Sequence, residues 1–235
     1  MTHPLLLLGN GPSLKGLDLH RVGMATVGMN AAYRYWQSIN FRPTYYACLD
    51  LVVGLSHIDA IARMVEENRI RRFLLRDNVC KQIGYSPRIL NYDELRISNP
   101  VFAVDPITTG SHSLLFGVAL GYRYIAIAGV DLNYRERLDE SRPVTEKILE
   151  IERTPVNNPN YFFDDYQQAG DRYHVPNSIP GLHRDSWVNA AKVAADAGAR
   201  VFNVAEKSPF DLFPHLSLQD FASLARRAPL ASAKS

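Results

Sequence analysis

The sequence predicts an α/β protein with a Rossmann-like, mostly parallel sheet that has helices on both faces. Three observations predict it. Short apolar segments without polar–apolar alternation recur along the chain, as in strands that are buried on both faces. Segments with helical spacing separate them, so right-handed crossovers can place the strands side by side. Gly121 and Gly198 follow two of these helical segments, where a helix C-cap is expected.

Six apolar segments are predicted strands: residues 5–8, 24–27, 45–48, 73–75, 124–128 and 201–204. Four segments are predicted helices: residues 30–36, 57–67, 111–120 and 186–197. Ligands of open α/β sheets bind beyond the carboxyl ends of the strands. The loops that follow the strands are therefore where a site is expected.

Length and composition indicate one domain that covers residues 1–235. The chain is 46% hydrophobic and 21% charged, as in ordinary folded proteins. Its formal net charge is only +2 and its basic residues are dispersed, which gives no reason to expect a nucleic-acid partner. Cys48 and Cys80 match no zinc, redox or disulfide pattern, so a reducing cytoplasm is the expected compartment.

Neither a signal peptide nor a membrane span is expected. The apolar start, residues 1–8, lacks a basic region and a cleavage site. No apolar run approaches the roughly 18 residues of a span. Arg226, Arg227 and Lys234 near the C-terminus leave open a peripheral contact with the inner membrane face, against a frayed basic terminus. The sequence also leaves a homo-oligomer open.

Residues 135–182 interrupt the alternation of strands and helices. The segment is rich in Asn, Pro, Asp and Tyr. A loop of this length inside a compact domain is usually functional or disordered, and its aromatic residues argue against disorder. We interpret it as an irregular lid over the active site.

A glycine-containing loop, GNGPSL at residues 9–14, directly follows the first predicted strand. Glycine lets the backbone approach a ligand closely, and Ser13 can cap a following helix whose N–H groups favour an anion. Asn10 adds a side-chain amide. The loop predicts a phosphate site, and the alternative is a tight strand-to-helix turn. The candidate residues are Gly9, Asn10, Gly11 and Ser13.

Polar residues also stand at other predicted strand ends and helix starts. Thr108 and Thr109 precede an apolar helix, where they can cap it or offer hydroxyls to a ligand. Asp131 follows the next strand, and Asn30 and Asp50 follow two earlier ones. The alternatives are capping for the threonines and turn formation for the other three.

His183 precedes the last predicted helix, where it could accept a proton from an attacking hydroxyl near neutral pH. The alternative is a surface or capping histidine, and His174 in the lid is a weaker candidate. The remaining histidines, His3, His20, His57, His112 and His215, are expected to be structural or exposed. No metal-ligand cluster stands out, although Asp50 and Asp131 leave a magnesium site open.

In this arrangement the residues resemble the bacterial sialyltransferases of the Campylobacter lipooligosaccharide type. The resemblance covers most of the chain in order, and only its first and third blocks are specific. Its blocks are residues 9–14, then Asn30 with the position of Asp50, then 107–110 with 118–122 and 129–131, and finally His183. It implies a Rossmann-type glycosyltransferase that uses CMP-sialic acid without an obligatory metal.

The resemblance also implies roles for individual residues. The matching asparagines and the hydroxyl-glycine segment hold the nucleotide, the matching histidine is the general base, and a lid closes over the donor. The partners would be a CMP-sugar donor and a glycan acceptor. Taken together with the residues singled out from the motifs and strand ends, the candidate nucleotide-binding set is Gly9, Asn10, Gly11, Ser13, Asn30, Asp50, Thr108, Thr109, Gly110 and Gly129, and the candidate catalytic set is His183, Asp131 and Tyr134.

Three positions depart from the family pattern. Asp50 stands where the family has asparagine, and Pro106 stands where it has arginine. Asn133 replaces a tyrosine that assists the leaving phosphate, with Tyr134 next to it. These departures leave open another CMP-activated 2-keto sugar acid, such as Kdo. The expected activity is transfer of such a sugar to a glycan hydroxyl in surface polysaccharide or lipooligosaccharide synthesis. A retaining reaction would use a carboxylate such as Asp131 or Asp165.

A second family shares parts of the pattern. The archaeal pterin pyrophosphokinases and related flagellin-modifying proteins also have a Gly-x-Gly-Pro-Ser-Leu loop and a Gly-x-Asp-Leu motif. They also have an aspartate after a Pro-x-Tyr strand, here Pro43, Tyr45 and Asp50. This resemblance implies a metal-dependent pyrophosphokinase with magnesium on Asp50 and Asp131. A nucleotide-binding module without catalysis is the third alternative.

Overall fold

A computed structural model describes residues 3–135, 137–176 and 179–227. Its large sheet is parallel throughout, and in the described residues it has seven strands in the order β10-β6-β1-β2-β3-β4-β5. The strands are β1 Leu5–Leu8, β2 Ala25–Met29, β3 Tyr45–Cys48, β4 Arg72–Leu75, β5 Ile89–Asn91, β6 Tyr124–Ala128 and β10 Arg200–Asn203. The chain moves outward from β1 to β5 and then returns to the other side of β1, so the loops after β1 and β6 meet at the switch point where ligands bind.

Helices cover both faces of this sheet. They are α1 Tyr33–Ser38, α2 Leu51–Ser56, α3 Ile58–Glu66, α4 Asp77–Ile83, α5 Tyr92–Ser98, α6 Thr109–Ala119, α7 Leu182–Asp196 and α8 Leu218–Arg227. Leu6 and Leu8 of β1 pack in one core with residues of α1, α3 and α8. Leu5 and Leu7 pack in the other with residues of α5, α6 and α7. All four leucines are at most 1% exposed, which explains the unbroken apolar run.

The predicted α/β class and parallel sheet are confirmed. The bounds of β1, β3 and β6 match the predicted segments, and β2, β4 and β10 differ by one or two residues at an end. Gly121 (φ +90°) and Gly198 (φ +74°) end α6 and α7 in the left-handed conformation, as expected. The sequence missed β5, α2, α4, α5 and α8, all of them ten residues or fewer.

The lid segment is more regular than expected. It contains a three-stranded antiparallel sheet, β7 Ser141–Thr145, β8 Ile148–Ile151 and β9 Arg172–His174. Leu149 and Ile151 of β8 pack with Leu138 and Tyr173 in a small core of their own. Because only one face of this sheet is buried and β7 is mostly exposed, the strands have no apolar run. The description of the lid as irregular is wrong for these strands.

None of the helices in the described residues is long and apolar enough to cross a membrane. The basic residues Arg226 and Arg227 end α8, whose Phe221 is buried against the core, while Lys234 lies outside the described residues.

Candidate active site

A cavity of about 510 Å³ opens at the carboxyl ends of β1, β2, β3 and β6, with the lid as its opposite wall. From the lid, Lys147, Tyr161, Tyr166 and residues 171–176 line it. Of the residues predicted from sequence, those that line this one cavity are Gly9, Asn10, Asn30, Asp50, Thr108, Thr109, Gly110, Gly129, Asp131, Tyr134 and His183. Gly11 and Ser13 do not line it.

Two glycines allow the ends of β1 and β6 to touch. A Cβ on Gly9 would lie 2.3 Å from the Gly129 oxygen, a distance at which atoms collide. Gly129 itself has φ +75°, a conformation that favours glycine. The main role visible for both is this close approach of two loops at the floor of the cavity.

The loop of residues 9–14 differs from the expectation. Its helix is a single 3₁₀ turn, Pro12–Leu14, capped by Gly11 without a side-chain hydrogen bond, so Ser13 lies inside the turn and the predicted Ser13 cap is wrong. The amide of Ser13 donates to Asp131 Oδ2 over 2.8 Å, and the amide of Gly11 donates to the Gly129 oxygen over 2.8 Å. These amides are therefore used within the protein, where they join the loop of residues 9–14 to the loop that follows β6.

Asp131 joins the two loops of this floor. One carboxylate oxygen accepts the Ser13 amide, and the other, Oδ1, is buried without a hydrogen-bond partner in the described residues. A buried acceptor of this kind costs free energy unless a donor reaches it. Because Asp131 also lines the cavity, a ligand can supply that donor.

Two asparagine side chains at the cavity also have buried oxygens without a hydrogen-bond partner in the described residues. Asn10 Nδ2 donates to the Tyr166 hydroxyl over 2.8 Å, while its Oδ1 is buried and has no partner in the described residues. The Oδ1 of Asn30 is likewise buried and unpaired there. Asn30 has φ +52°, which asparagine tolerates better than most residues. Both side chains line the cavity and offer acceptors to a ligand.

The threonine segment has the predicted capping role. Thr108 caps α6, where its Oγ1 accepts the Ser111 amide over 3.3 Å. Thr109 Oγ1 accepts the amide of Leu49 over 3.1 Å, which fastens the end of β3 to α6 and leaves the Thr109 hydroxyl proton to be donated. A Cβ on Gly110 would lie 3.0 Å from the Trp187 ring, so glycine lets α7 approach α6.

Asp50 is the N-cap of α2. Its Oδ1 accepts the amides of Val52 and Val53 over 2.9 and 3.1 Å. His174 from the lid places its Nε2 3.7 Å from the same oxygen. Asp50 therefore holds a helix start and also brings a negative charge to the cavity.

His183 and Tyr134 lie together in the cavity. Their ring centroids are 5.8 Å apart, and His183 is the second residue of α7. Burial lowers the pKa of His183, and the nearby charge of Asp50 acts in the opposite direction. Burial raises the pKa of Tyr134. At neutral pH the imidazole is therefore free to accept a proton and the phenol is able to donate one.

The lid is fixed to the sheet domain by a buried ion pair and by aromatic packing. Arg34 of α1 donates to both Asp171 oxygens over 2.5 and 2.9 Å and to the Tyr166 carbonyl over 2.7 Å. Tyr35 of α1 packs edge to face against Phe162 of the lid with ring centroids 5.0 Å apart. Within the lid, the rings of Tyr161 and Tyr166 stack with centroids 3.6 Å apart and an angle of 12°. These contacts hold the lid in the closed arrangement that bounds the cavity.

Sequence reasoning missed several polar residues of the cavity wall, among them His57, Arg76 and Lys147. His57, expected to be structural or exposed, is buried beside the cavity between the Tyr33 hydroxyl at 3.0 Å and Asp171 at 3.9 Å, and burial lowers its pKa to about 4. Arg76 and Lys147 also line the cavity. Arg76 directly follows the predicted strand 73–75, so its place at a strand end could have marked it. No sequence signal marks His57 or Lys147, because the segments that carry them lie next to the site only in the folded chain.

The two acidic residues suggested for magnesium both face the cavity, but Asp50 and Asp131 each already accept backbone amides. Within the part of the chain that the structure describes, no group of three or more His, Cys, Asp or Glu side chains is placed to hold a metal ion. Because magnesium on a nucleotide is commonly held by one or two carboxylates together with the phosphates, the pairing of Asp50 and Asp131 around a magnesium ion stays a prediction.

Solved structures share this fold. The fold is that of the Campylobacter jejuni sialyltransferases. The structure of CstII with the substrate analogue CMP-3FNeuAc aligns with a TM-score of 0.58 at 16% identity, over 92% of this chain and 86% of that one. CstII with a trisaccharide acceptor and CMP gives a TM-score of 0.57 at 16% identity, over 91% and 86% of the two chains.

A second kind of protein shares the core. The Maf glycosyltransferase of Magnetospirillum magneticum AMB-1 aligns with a TM-score of 0.52 at 16% identity, over 96% of this chain and 36% of that one. No protein-family model matches the chain, and no curated protein matches it. At such identities the similarity establishes the fold, and function has to be argued from the cavity.

Proposed function

We propose that this protein is a glycosyltransferase that moves a sugar from a CMP-sugar donor to a hydroxyl of a glycan acceptor. One observation carries the proposal: the amide oxygens of Asn10 and Asn30 are buried, lack partners in the described residues and line the same cavity. The ribose hydroxyls and the exocyclic amine of a cytidine are donors that would satisfy such acceptors. The shared fold with sialyltransferases solved in complex with CMP supports the choice of nucleotide.

The cavity is polarised in a way that suits this ligand. Unpaired acceptor oxygens of Asn10, Asn30 and Asp131 lie at the sheet edge. The lid contributes Lys147, whose ammonium group has no acidic partner among the described residues, whereas Arg172 binds Glu150 over 2.7 Å. The nucleoside would therefore lie on the sheet edge, with the anionic part of the donor towards the lid.

The transfer step uses groups on this chain. The bond between the sugar's anomeric carbon and the phosphate oxygen breaks, and the electron pair leaves with CMP. Hydroxyl protons of Thr109 and Tyr134 would stabilise the charge that develops on the phosphate. The acceptor oxygen bonds to the anomeric carbon and its proton passes to the His183 imidazole. Inverting transfer needs no more than this, and retaining transfer would add Asp131 as nucleophile.

The donor class we propose is a CMP-activated sialic acid or a related 2-keto sugar acid such as Kdo, used in surface polysaccharide or lipooligosaccharide synthesis in the cytoplasm. The cation of Lys147 suits a donor with both a phosphate and a carboxylate. Asp50 brings a negative charge near that carboxylate, where an amide would bring none, and His174 Nε2 lies 3.7 Å from Asp50 Oδ1.

A panel of nucleotides tests the proposal. Ligands that bind the native state raise the melting temperature by mass action, so CMP should raise it more than ATP, UDP or NAD. Transfer from CMP-sialic acid or CMP-Kdo to a labelled glycan, measured with and without EDTA, tests the reaction. Equal shifts with all nucleotides would overturn this proposal. A preference for ATP, with activity that EDTA abolishes, would overturn it and favour the pyrophosphokinase alternative.

A further inference from the structure

One buried hydroxyl joins the start of α7, which carries His183, to the segment that carries Thr108. Ser186 is fully buried. Its Oγ lies 2.5 Å from Ser111 Oγ, 3.4 Å from Thr108 Oγ1 and 2.5 Å from the Pro106 carbonyl oxygen. Three polar atoms from the loop and the first turn of α6 therefore converge on a single side chain of α7.

The direction of these hydrogen bonds follows from their chemistry. A carbonyl oxygen only accepts, so the Ser186 hydroxyl donates to Pro106 and accepts from Ser111 or Thr108. Ser111 Oγ also lies 3.1 Å from His112 Nδ1, and that ring contacts the Val104 carbonyl through Nε2 at 3.2 Å. Buried networks of this kind fix relative positions because each unpaired member is costly.

We infer that Ser186 is a positioning residue, which holds His183 at the right distance from the hydroxyls of Thr108 and Thr109. The inference rests on the proposed function. His183 lies three residues before Ser186, which puts both on neighbouring positions of one helical turn. Anchoring Ser186 to α6 therefore fixes the register of the turn that carries the base, while Thr108 and Thr109 start α6 itself.

The competing explanation is that apolar packing alone places α7. Trp187 packs against Phe210 and Phe213 and closely approaches Gly110. If that packing were sufficient, loss of the Ser186 hydroxyl would lower stability without a specific effect on turnover. The two explanations differ in what happens to kcat.

The test compares Ser186→Ala with a matched control, Ser113→Ala. Ser113 is equally buried, but its hydroxyl bonds only to the Thr109 carbonyl inside α6, over 2.7 Å. Small misplacements of a catalytic group cost up to roughly 100-fold. We expect Ser186→Ala to lower kcat at least about 10-fold, with the Kd for CMP within about twofold of wild type, and Ser113→Ala to change neither by more than about twofold. A Ser186→Ala enzyme with wild-type kcat overturns the inference.

Two further measurements keep the result interpretable. Ser111→Ala should lower kcat in the same way, and the Ser111→Ala/Ser186→Ala variant should be no slower than the worse single variant, because both remove one linkage. Multiplied losses of kcat in the double variant contradict a shared linkage.

If the wild type transfers no CMP-sugar, the proposed function fails. Amide exchange at Asp185 still tests the anchor, because this amide bonds to the Gly181 carbonyl over 2.9 Å in the first turn of α7. Exchange should be faster in Ser186→Ala than in Ser113→Ala, and equal rates refute the anchor.

Discussion

The side-chain amide of Asn10 donates a hydrogen bond to the hydroxyl of Tyr166 over 2.8 Å, across 156 residues of sequence. This bond joins the end of β1 to the lid. It also orients the Asn10 amide group, because with Nδ2 directed to the lid the remaining Oδ1 is the atom left for a ligand. One side chain therefore links the position of the lid to the proposed recognition of the nucleotide.

Replacing Tyr166 with phenylalanine tests this link. The variant keeps the ring that stacks on Tyr161 but removes the acceptor of Asn10 and of the Ala31 amide. A lost hydrogen bond of this kind costs about 1 kcal/mol, so we expect CMP to bind about fivefold more weakly in calorimetric titration. Tyr45→Phe is the control, since its hydroxyl meets only Tyr122. Wild-type affinity in Tyr166→Phe would contradict the link.

Replacing His183 with alanine should abolish the general base. We expect the transfer rate to fall roughly 10²–10⁴-fold while CMP still binds, because the base acts in the chemical step. Initial rates and a CMP titration measure the two effects separately. His215→Ala, at an exposed position outside the cavity, should be close to wild type. Unchanged turnover in His183→Ala would remove His183 from the mechanism.

The pH dependence of transfer should reveal the environment of His183. The base works when it is neutral, so the rate falls as the pH drops through its pKa. Because burial lowers the pKa of His183 from its ordinary 6.5, this acid limb should lie below pH 6.5. Asp50 raises that pKa, so Asp50→Asn, whose amide oxygen can still cap α2, should move the limb to still lower pH. A profile of kcat/KM against pH measures the position of this acid limb. An acid limb that stays at the same pH or moves to higher pH in Asp50→Asn argues against the interaction of His183 with Asp50.

The ion pair between Arg34 and Asp171 should stabilise the closed lid. Its side chains are only 15% and 10% exposed, so Asp171→Asn leaves a nearly buried guanidinium without its charge partner. Such a loss costs roughly 3–5 kcal/mol of unfolding free energy, measurable by urea denaturation. The comparison is Asp211→Asn, which breaks an exposed pair with Arg184 and should cost less than about 1 kcal/mol. Similar losses of unfolding free energy in both variants would show that the Arg34–Asp171 pair stabilises the protein no more than an exposed ion pair does.

Lys147 should contact the anionic part of the donor. Removing its charge in Lys147→Ala should weaken CMP or CMP-sugar binding up to about tenfold and leave cytidine unaffected, because cytidine has no anion. Weaker binding of both CMP and CMP-sugar indicates the phosphate, and weaker binding of the CMP-sugar alone indicates the sugar carboxylate. Arg142→Ala is the control, since Arg142 binds Glu150 outside the cavity. No change with either ligand would remove Lys147 from the site.

The floor of the cavity could be predicted because it depends on local patterns. Strands β1, β3 and β6 are continuous apolar runs, and the residues that directly follow parallel strands share one edge of the sheet. Asn10, Asn30 and Asp131 meet there for that reason.

The partners of the polar side chains and the strands of the lid could not be predicted, because they depend on contacts between distant parts of the chain. The sequence indicated a helix cap for Ser13, but the carboxylate of Asp131, 118 residues later, holds its amide instead. His57 carries no sequence signal, yet the lid brings Asp171 against it. The strands of the lid, half-exposed and short, have too little apolar patterning to be recognised.

By itself the sequence determined the parallel sheet and the polar residues at its carboxyl edge, because strand burial and strand order place those residues together. Only the tertiary structure decided which polar atoms remain unpaired in the cavity and which are used within the protein. The physical reason is that hydrogen bonds such as those of Asn10, Asp131 and Ser186 join segments far apart in sequence, and their partners are fixed by packing.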